Sequence, residues 1–310
     1  MISTTIRRAL HLVHASAPTR APHLSAASGL VAINNMLYVV ADDENHLGVF
    51  STDDASPGNL LRVFEGTLPD KHKKRKALKP DLETLVQLPA FAGFPHGALL
   101  ALGSGSRASR ETGVLLTLDV HGAVNAPVQH VDLSLFYDDL RFEIDGLNIE
   151  GMVVLGDTIR LLQRGNKGSA NALIDCNLAP FLAAISKQDR PRLDKAPRLT
   201  LATLGDIDGV PLCFTDGAPL AQGETIFTAV AENTDNSVDD GACAGSAIGI
   251  IDRAGHVTRI QRLTDNHKVE GIAASVCADG LNLLLVTDGD DASKPALLLS
   301  ALLKPDLRRR

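Results

Sequence analysis

Two segments, Asn148–Met152 and Lys268–Ile272, each place a glutamate before a glycine at the start of a short apolar run. Weaker copies of the segment place an acidic residue near the corresponding point. Carboxylates that are gathered at one site repel each other unless a positive group lies among them. Ca²⁺ takes roughly six to eight oxygen ligands, many of them from carboxylates. The pattern therefore predicts a Ca²⁺ or similar hard-cation site formed by Glu83, Glu150, Asp216 and Glu270.

Basic residues follow the second apolar run in two of these units, at Arg107 and Arg164. A guanidinium group binds phosphate or carboxylate through two parallel hydrogen bonds, so both arginines could hold an anionic ligand. Alternatively, a structural ion-pair network could pair Glu150, Asp81 and Glu83 with the basic residues Arg107, Arg110, Arg164 and Lys167. A third possibility is that the carboxylates bind a cationic or polyol ligand directly.

The segment Gly103–Arg107, followed by Arg110, has the composition of an anion-binding loop. Its small residues would expose backbone N–H groups beside the guanidinium groups. A tight connection between two strands explains the same glycines equally well.

The acidic positions recur because the chain contains repeats, which start near residues 28, 81, 148, 214 and 269. Each repeat contains short apolar runs bounded by Gly, Pro, Asn or Asp, as is typical of β-strands. Repeats of several tens of residues with four antiparallel strands each indicate a β-propeller. The sequence therefore predicts an all-β fold, a single five-bladed β-propeller over residues 1–310, with a six-bladed propeller as the alternative.

The last repeat has no outer strand, because the chain ends soon after Leu303. The N-terminal segment, about residues 6–14, is strand-like and has no repeat of its own. We predict that it closes the last blade, since closure removes free sheet edges. Two short helices are predicted, at Ser134–Asp138 and Leu178–Ile185. The basic run Asp70–Lys76 is interpreted as a solvated linker, or alternatively as an anion-binding patch.

Composition and charge argue against several kinds of partner and cellular location. The formal net charge of −7 argues against nucleic acid as a partner. The four cysteines are widely spaced and form no CxxC pair, so we expect reduced thiols. The N-terminal apolar stretch is too short for a signal peptide, and no run approaches the roughly 18 apolar residues of a membrane helix. These features predict a cytoplasmic protein without a membrane partner.

The segment Val269–Ile272, with the acidic end of its second strand at Val286–Asp290, resembles the phytase-like esterase propellers. Asp81–Glu83, Asn148–Gly151 and Ala231–Asp235 extend the resemblance, and within this group the chain looks like a bacterial propeller family without an assigned activity. More distantly, it is similar to calcium-dependent propeller lactonases and phosphotriesterases, which ligate a central cation with inner-strand side chains. The positions that match these ligands are Glu150, Asp216 and Glu270.

Residues and resemblance together predict a metal-assisted hydrolase of a small phosphoester or lactone at the mouth of the propeller channel. In this hypothesis Arg107 and Arg164 hold a small anionic substrate, and Glu150 or Glu270 binds the metal or activates water. The alternative is a non-catalytic scaffold that binds a ligand or a protein partner through the same polar loops.

Overall fold

In the computed structural model of the chain, residues 1–125, 127–165, 169–233 and 241–305 are described. These residues form five antiparallel sheets, each of which is one blade of a propeller. The prediction of a five-bladed propeller is therefore confirmed, and the six-bladed alternative is wrong.

The first half of the chain supplies one outer strand and the first two blades. The N-terminal strand β1 spans Thr4–Ala9. Blade 1 contains β2 (Ala27–Ile33), β3 (Met36–Ala41), β4 (His46–Ser51) and β5 (Asn59–Arg62). Helix α1 (His72–Leu78) leads into blade 2. Blade 2 contains β6 (Leu82–Leu88), β7 (Ala98–Gly103), β8 (Thr112–Thr117) and β9 (Gln129–Asp132).

The second half supplies the remaining blades, after helix α2 (Ser134–Arg141). Blade 3 contains β10 (Ile149–Leu155), β11 (Thr158–Gln163), β12 (Asn171–Asn177), the inserted helix α3 (Leu178–Ser186) and β13 (Arg198–Ala202). Blade 4 contains β14 (Asp206–Ile207), β15 (Val210–Pro219), β16 (Thr225–Asn233), β17 (Ala242–Ile251) and β18 (Val257–Arg262). Blade 5 contains β19 (Val269–Cys277), β20 (Gly280–Thr287) and β21 (Leu297–Leu303).

Apolar side chains pack between neighbouring blades and hold them together. In the cluster between blades 2 and 3, Phe136 of α2 packs with Leu102, Met152 and Ile174, and all four are buried. Burial of one such side chain contributes about 1.5–3 kcal/mol. Both predicted short helices, α2 and α3, are confirmed, and the helices of the described part of the chain are too short to span a bilayer.

The N-terminal strand β1 pairs antiparallel with β21 and completes blade 5, with Thr4 opposite Ala301. The strand thus lies closer to the N-terminus than the predicted segment 6–14. The reason is that Leu10 and Leu12 are buried and leave the sheet to bridge blades 5 and 1. The backbone N–H of Leu10 donates to the carbonyl of Ala296 at 2.8 Å.

The basic run Asp70–Lys76 forms most of α1 and is not a solvated linker throughout. Arg75 is buried, and its Nε donates to the backbone carbonyl of Asp43 at 2.8 Å. Its Nη2 lies 3.3 Å from Oε1 of Glu44. The helix therefore ties the linker to the loop between β3 and β4.

Candidate functional site at the channel mouth

Each of the five inner strands, β2, β6, β10, β15 and β19, contains a β-bulge, which lies near one end in four blades and in the middle of the longer β15. The pairing register with the second strand skips one residue in each blade, and these residues are Ser28, Glu83, Glu150, Thr215 and Glu270. A bulge re-aims the side chain at the point where it occurs. Because inner strands of neighbouring blades contact each other around the whole ring, the five positions surround one end of the central channel. We call this end the channel mouth.

Arg164 follows β11 and connects three blades through glutamates. Its Nη1 lies 3.3 Å from Oε2 of Glu150, and its Nη2 lies 2.7 Å from Oε2 of Glu232. Oε2 of Glu270 is 3.9 Å from Nη1. Burial opposes the positive charge, but the three glutamates outweigh it and raise the pKa of Arg164. Arg164 is thus a counter-ion for the protein's own carboxylates.

Lys268 is a second internal counter-ion, which sequence reasoning missed. It is only 9% exposed, and its Nζ lies 2.7 Å from Oδ1 of Asp290 and 3.6 Å from Oε1 of Glu270. Glu232 and Asp288 also lie within 4.0 Å of the ammonium group. The signal was present, since Lys268 opens the repeated segment at the position that Asn148 takes in blade 3. Asn148 is neutral, but it likewise contacts the glutamate of its own segment, because its Nδ2 donates to Oε1 of Glu150 at 2.6 Å.

Glu270 is a carboxylate of the mouth without a close partner. It is 5% exposed, and its Oε1 accepts no hydrogen bond from the residues that the structure describes. Burial raises the pKa of Glu270 to about 8, against the opposing charges of Lys268 and Arg164. Burial likewise raises the pKa of Asp288 to about 7.

Glu83 is half-buried at the equivalent position of blade 2. Burial, together with the charges of Asp81 and Glu150, raises the pKa of Glu83 well above its usual range. The charge of Glu270 acts in the same direction, so the three glutamates are close enough to oppose each other's ionisation. Oxygen atoms of Glu83, Asp42 and Asp81 also lie within 4.8 Å of one another.

The loop Gly103–Arg107 does bind an anion, but the anion is the side chain of Asp81. Oγ of Ser104 donates to Oδ2 of Asp81 at 2.5 Å, and Nη1 of Arg110 lies 2.7 Å from the same oxygen. Lys79 bridges Oδ1 of Asp81, at 3.0 Å, and the carboxylate of Asp42. Arg110 and Arg164 thus form ion pairs of the kind that the structural alternative predicts, whereas Lys167 lies outside the described residues.

Two residues of the sequence-predicted site lie elsewhere than expected. Arg107 is exposed, and within the described part of the chain its guanidinium forms no ion pair, because Arg110 fills the place beside Asp81. Asp216 lies one residue beyond the bulge of blade 4, where Thr215 takes the position of the three glutamates. Oδ2 of Asp216 accepts a hydrogen bond from the backbone N–H of Ile272 at 3.0 Å, and burial raises the pKa of Asp216 well above its usual range.

The structure therefore brings Glu83, Glu150, Glu270 and Arg164 to one mouth and leaves Arg107 outside it. Carboxylates outnumber basic groups there among the described residues, and the basic groups Arg164, Lys268, Lys79 and Arg110 are all ion-paired. Excess buried negative charge is relieved either by protons or by an added cation. The arrangement is thus suited to a cationic ligand.

Solved structures with a similar fold include a hypothetical protein from Leishmania major, with 9% identity and a TM-score of 0.48 over 97% of this chain and 91% of that chain. An alpha-L-arabinofuranosidase from Podospora anserina in complex with cellotriose has 10% identity and a TM-score of 0.48, covering 98% of this chain and 97% of that chain. A luciferin-regenerating enzyme has 9% identity and a TM-score of 0.45, covering 91% and 92%. No curated protein matches the sequence.

The sequence-based resemblance to a propeller family without an assigned activity agrees with the family comparison, whereas the esterase-like specificity stays a prediction. The model of DUF6929, described as a family of unknown function, matches residues 23–303. The chain therefore belongs to this family.

Proposed function

We propose that the channel mouth binds one hard divalent cation, with Ca²⁺ as the first candidate, and that the protein uses it to hydrolyse a small ester. The observation that carries the proposal is the state of Glu270, a buried carboxylate whose Oε1 has no hydrogen-bond donor in the described part of the chain. A buried carboxylate oxygen without a hydrogen-bond donor makes ionisation of the group costly. A divalent cation would remove this cost at the mouth.

The donor set has the chemistry that such a cation prefers. Glu83, Glu150 and Glu270 occupy equivalent bulge positions, and carboxylate oxygens are the preferred ligands of Ca²⁺. These three residues would hold the ion by converging on it. In the described residues, the acidic groups whose oxygens already lie within 4.8 Å of one another are Glu83, Asp42 and Asp81. A bound cation would polarise the ester carbonyl and favour ionisation of a water molecule.

Glu150 and Glu270 differ in how freely their carboxylates can act on a substrate. Glu150 is fixed by Asn148 on one oxygen and by Arg164 on the other. Glu270 has ion-pair neighbours only at 3.6 Å and 3.9 Å. We therefore assign to Glu270 the second role of accepting a proton from the attacking water and returning it to the departing alkoxide oxygen as the C–O bond breaks. Glu150 would be a fixed ligand.

Of the two ester classes, we favour the lactone over the phosphoester. A phosphoester carries negative charge and would need a free basic group beside the carboxylates. Arg107 lies outside the mouth, and Arg164 is already shared by three glutamates. A neutral lactone meets no such repulsion, and its hydroxy-acid product would be expelled by the same negative charge.

The second candidate is a non-catalytic binding site for a cation or a cationic ligand. It is favoured by the ion pairs that already occupy Arg164 and Lys268, because neither basic group of the described mouth is left free to hold or polarise a substrate. In this case the carboxylates would bind without turnover.

A turnover assay separates the two candidates. Chelator-treated protein would be tested with a panel of lactones and phosphoesters, with and without added Ca²⁺, beside Glu150→Gln and Glu270→Gln. Asp279→Asn is the matched control, because Asp279 is exposed in the turn at the far end of the same strand pair as Glu270. We expect Ca²⁺-dependent lactone hydrolysis that is lost in both glutamine variants and kept in the control. Equal background rates in all proteins would favour the non-catalytic candidate.

A further inference from the structure

The residue that follows each bulge faces the inner strand of the next blade. In blades 1, 3 and 5 this residue is a glycine, and in blades 2 and 4 it carries a side chain that can accept a hydrogen bond. The five residues are Gly29, Thr84, Gly151, Asp216 and Gly271.

At the glycine positions the next strand approaches too closely for a side chain. A Cβ atom on Gly29 would lie 3.0 Å from the backbone nitrogen of Leu85, and one on Gly151 would lie 3.2 Å from that of Gly217. Gly271 similarly meets the backbone of blade 1 at 3.1 Å. These three interfaces are therefore made by direct backbone contact.

At the other two interfaces a side chain holds the equivalent amide of the next blade. Oγ1 of Thr84 accepts a hydrogen bond from the backbone N–H of Met152 at 2.9 Å. Oδ2 of Asp216 accepts one from the N–H of Ile272 at 3.0 Å. Met152 and Ile272 each lie two residues after a bulge glutamate, namely Glu150 and Glu270.

We propose that Thr84 and Asp216 are positioning residues, which fix the strands that present Glu150 and Glu270 to the bound cation. The inference rests on the proposed cation site, and it assigns Asp216 a role that differs from that of a metal ligand. The two side chains form the same contact with different chemistry, a hydroxyl in blade 2 and a carboxyl in blade 4. What they share is a hydrogen-bond acceptor aimed at the next strand.

The position of a strand that carries a ligand matters because it decides whether the ligand reaches the ion in the orientation that binds it. Groups that orient metal ligands typically contribute about 10- to 100-fold to metal affinity. Asp216 is 1% exposed, and its Oδ1 accepts no hydrogen bond in the described part of the chain. Burial of this oxygen therefore lowers the stability of the folded protein. Retention of an acid there is explained if its other oxygen positions Glu270.

The test compares variants that keep or remove the acceptor at the same size. Asp216→Thr supplies the hydroxyl that blade 2 uses at this position. Asp216→Val has the same shape as the threonine variant but carries no hydrogen-bond acceptor. Thr84→Ser and Thr84→Val form the equivalent pair in blade 2. Affinity for Ca²⁺ would be measured by calorimetric titration of the full chain, and hydrogen exchange would be followed in peptides covering residues 149–155 and 269–277.

We expect Asp216→Thr and Thr84→Ser to bind Ca²⁺ within about threefold of the wild type, and both valine variants to bind about 10-fold more weakly or worse. Exchange should accelerate in residues 269–277 of Asp216→Val only, and in residues 149–155 of Thr84→Val only. If Asp216 is itself a ligand, Asp216→Thr will lose as much affinity as Asp216→Val, and the positioning role is wrong.

Failure of the proposed function gives a different result. If the wild type binds no divalent cation, the cation site is wrong, and the exchange measurements alone decide whether the two side chains fix their strands. Unchanged exchange in both valine variants would overturn the positioning role whatever the wild type binds.

Discussion

At the scale of single residues, two basic side chains, Arg164 and Lys268, compensate the charges of the carboxylates at the mouth. Arg164 contacts glutamates from blades 3, 4 and 5, and Lys268 contacts acidic residues from blades 4 and 5. Removing one partner of a buried ion pair leaves an uncompensated charge, which costs more than the pair itself contributes. Arg164 therefore has a structural role whether or not the mouth is catalytic.

Replacing Arg164 by Met should lower the free energy of unfolding by about 3–5 kcal/mol, because Glu150 and Glu232 would lose their closest counter-ion. The matched control is Arg107→Met, since Arg107 is exposed and should change stability by no more than about 0.5 kcal/mol. Urea unfolding of both variants measures the difference. Equal stabilities would show that Arg164 does not compensate the buried glutamates.

The raised pKa values predict how the stability of the cation-free protein depends on pH. Burial raises the pKa of Glu270 to about 8, whereas an unfolded glutamate titrates near pH ~4.3. Folding then takes up a proton between these values, so the stability is fully present below about pH 4 and is lost as the pH rises through about 8. Asp288 contributes in the same direction up to about pH 7. Denaturant midpoints measured in chelator should fall from pH 5 to pH 8.5, and Glu270→Gln should flatten the slope.

At the scale of strands and helices, local patterns in the sequence were sufficient for much of the architecture. The predicted repeat starts at 28, 81, 148, 214 and 269 lie within a few residues of the inner strands, because short apolar runs between turn residues are a local signal. The register of blade 4 was not predictable in this way. The sequence draws attention to Asp216 as a carboxylate, but the bulge leaves Thr215 at the channel position.

Interactions between distant elements were also beyond local patterns. The basic run near Lys74 is solvated on part of its surface, yet Arg75 and Lys79 reach acidic residues that follow β3. Such pairing depends on where the linker crosses the blade and leaves no periodic trace in the sequence. The choice between Arg107 and Arg110 as the partner of Asp81 was also open in the sequence, and in the structure Arg110 forms the ion pair.

The close approach of inner strands predicts a steric effect at Gly271. A Cβ atom there would lie 2.7 Å from Cγ2 of Val286 and 3.1 Å from the backbone of blade 1, so Gly271→Ala should destabilise the protein by about 1–3 kcal/mol. Gly289→Ala is the control, because a Cβ atom at Gly289 meets nothing within 4 Å. Thermal unfolding of the pair measures the effect. A melting temperature of Gly271→Ala equal to that of the control would mean that the blades separate more easily than described.

At the scale of the whole molecule, the ring is closed by a strand from the opposite end of the sequence. β1 covers the edge of β21, and Leu10 and Leu12 pack in the core between blades 5 and 1. An uncovered strand edge is a template for pairing with another chain. Closure therefore links the stability of the mouth to the first residues of the protein.

Deleting residues 1–9 should expose the edge of β21 and cause aggregation during expression. Appending the same nine residues to the C-terminus should restore soluble protein, because Thr4 lies opposite Ala301 and the strand can return as a hairpin. Solubility and size-exclusion profiles of the deletion and the permuted chain provide the measurement. A deleted chain that stays monomeric and as stable as the full chain would contradict the closing role of β1.

The central claim is that the mouth of the channel binds a divalent cation through its bulge glutamates, and calorimetric titration of chelator-treated protein with Ca²⁺ tests it most directly. A ligand that binds only the folded state also raises the melting temperature as its concentration exceeds Kd. We predict one site per chain for the wild type and for Asp279→Asn, with a raised melting temperature in both, and loss of both effects in Glu270→Gln. No binding heat and an unshifted melting temperature in the wild type at millimolar Ca²⁺ would contradict the account.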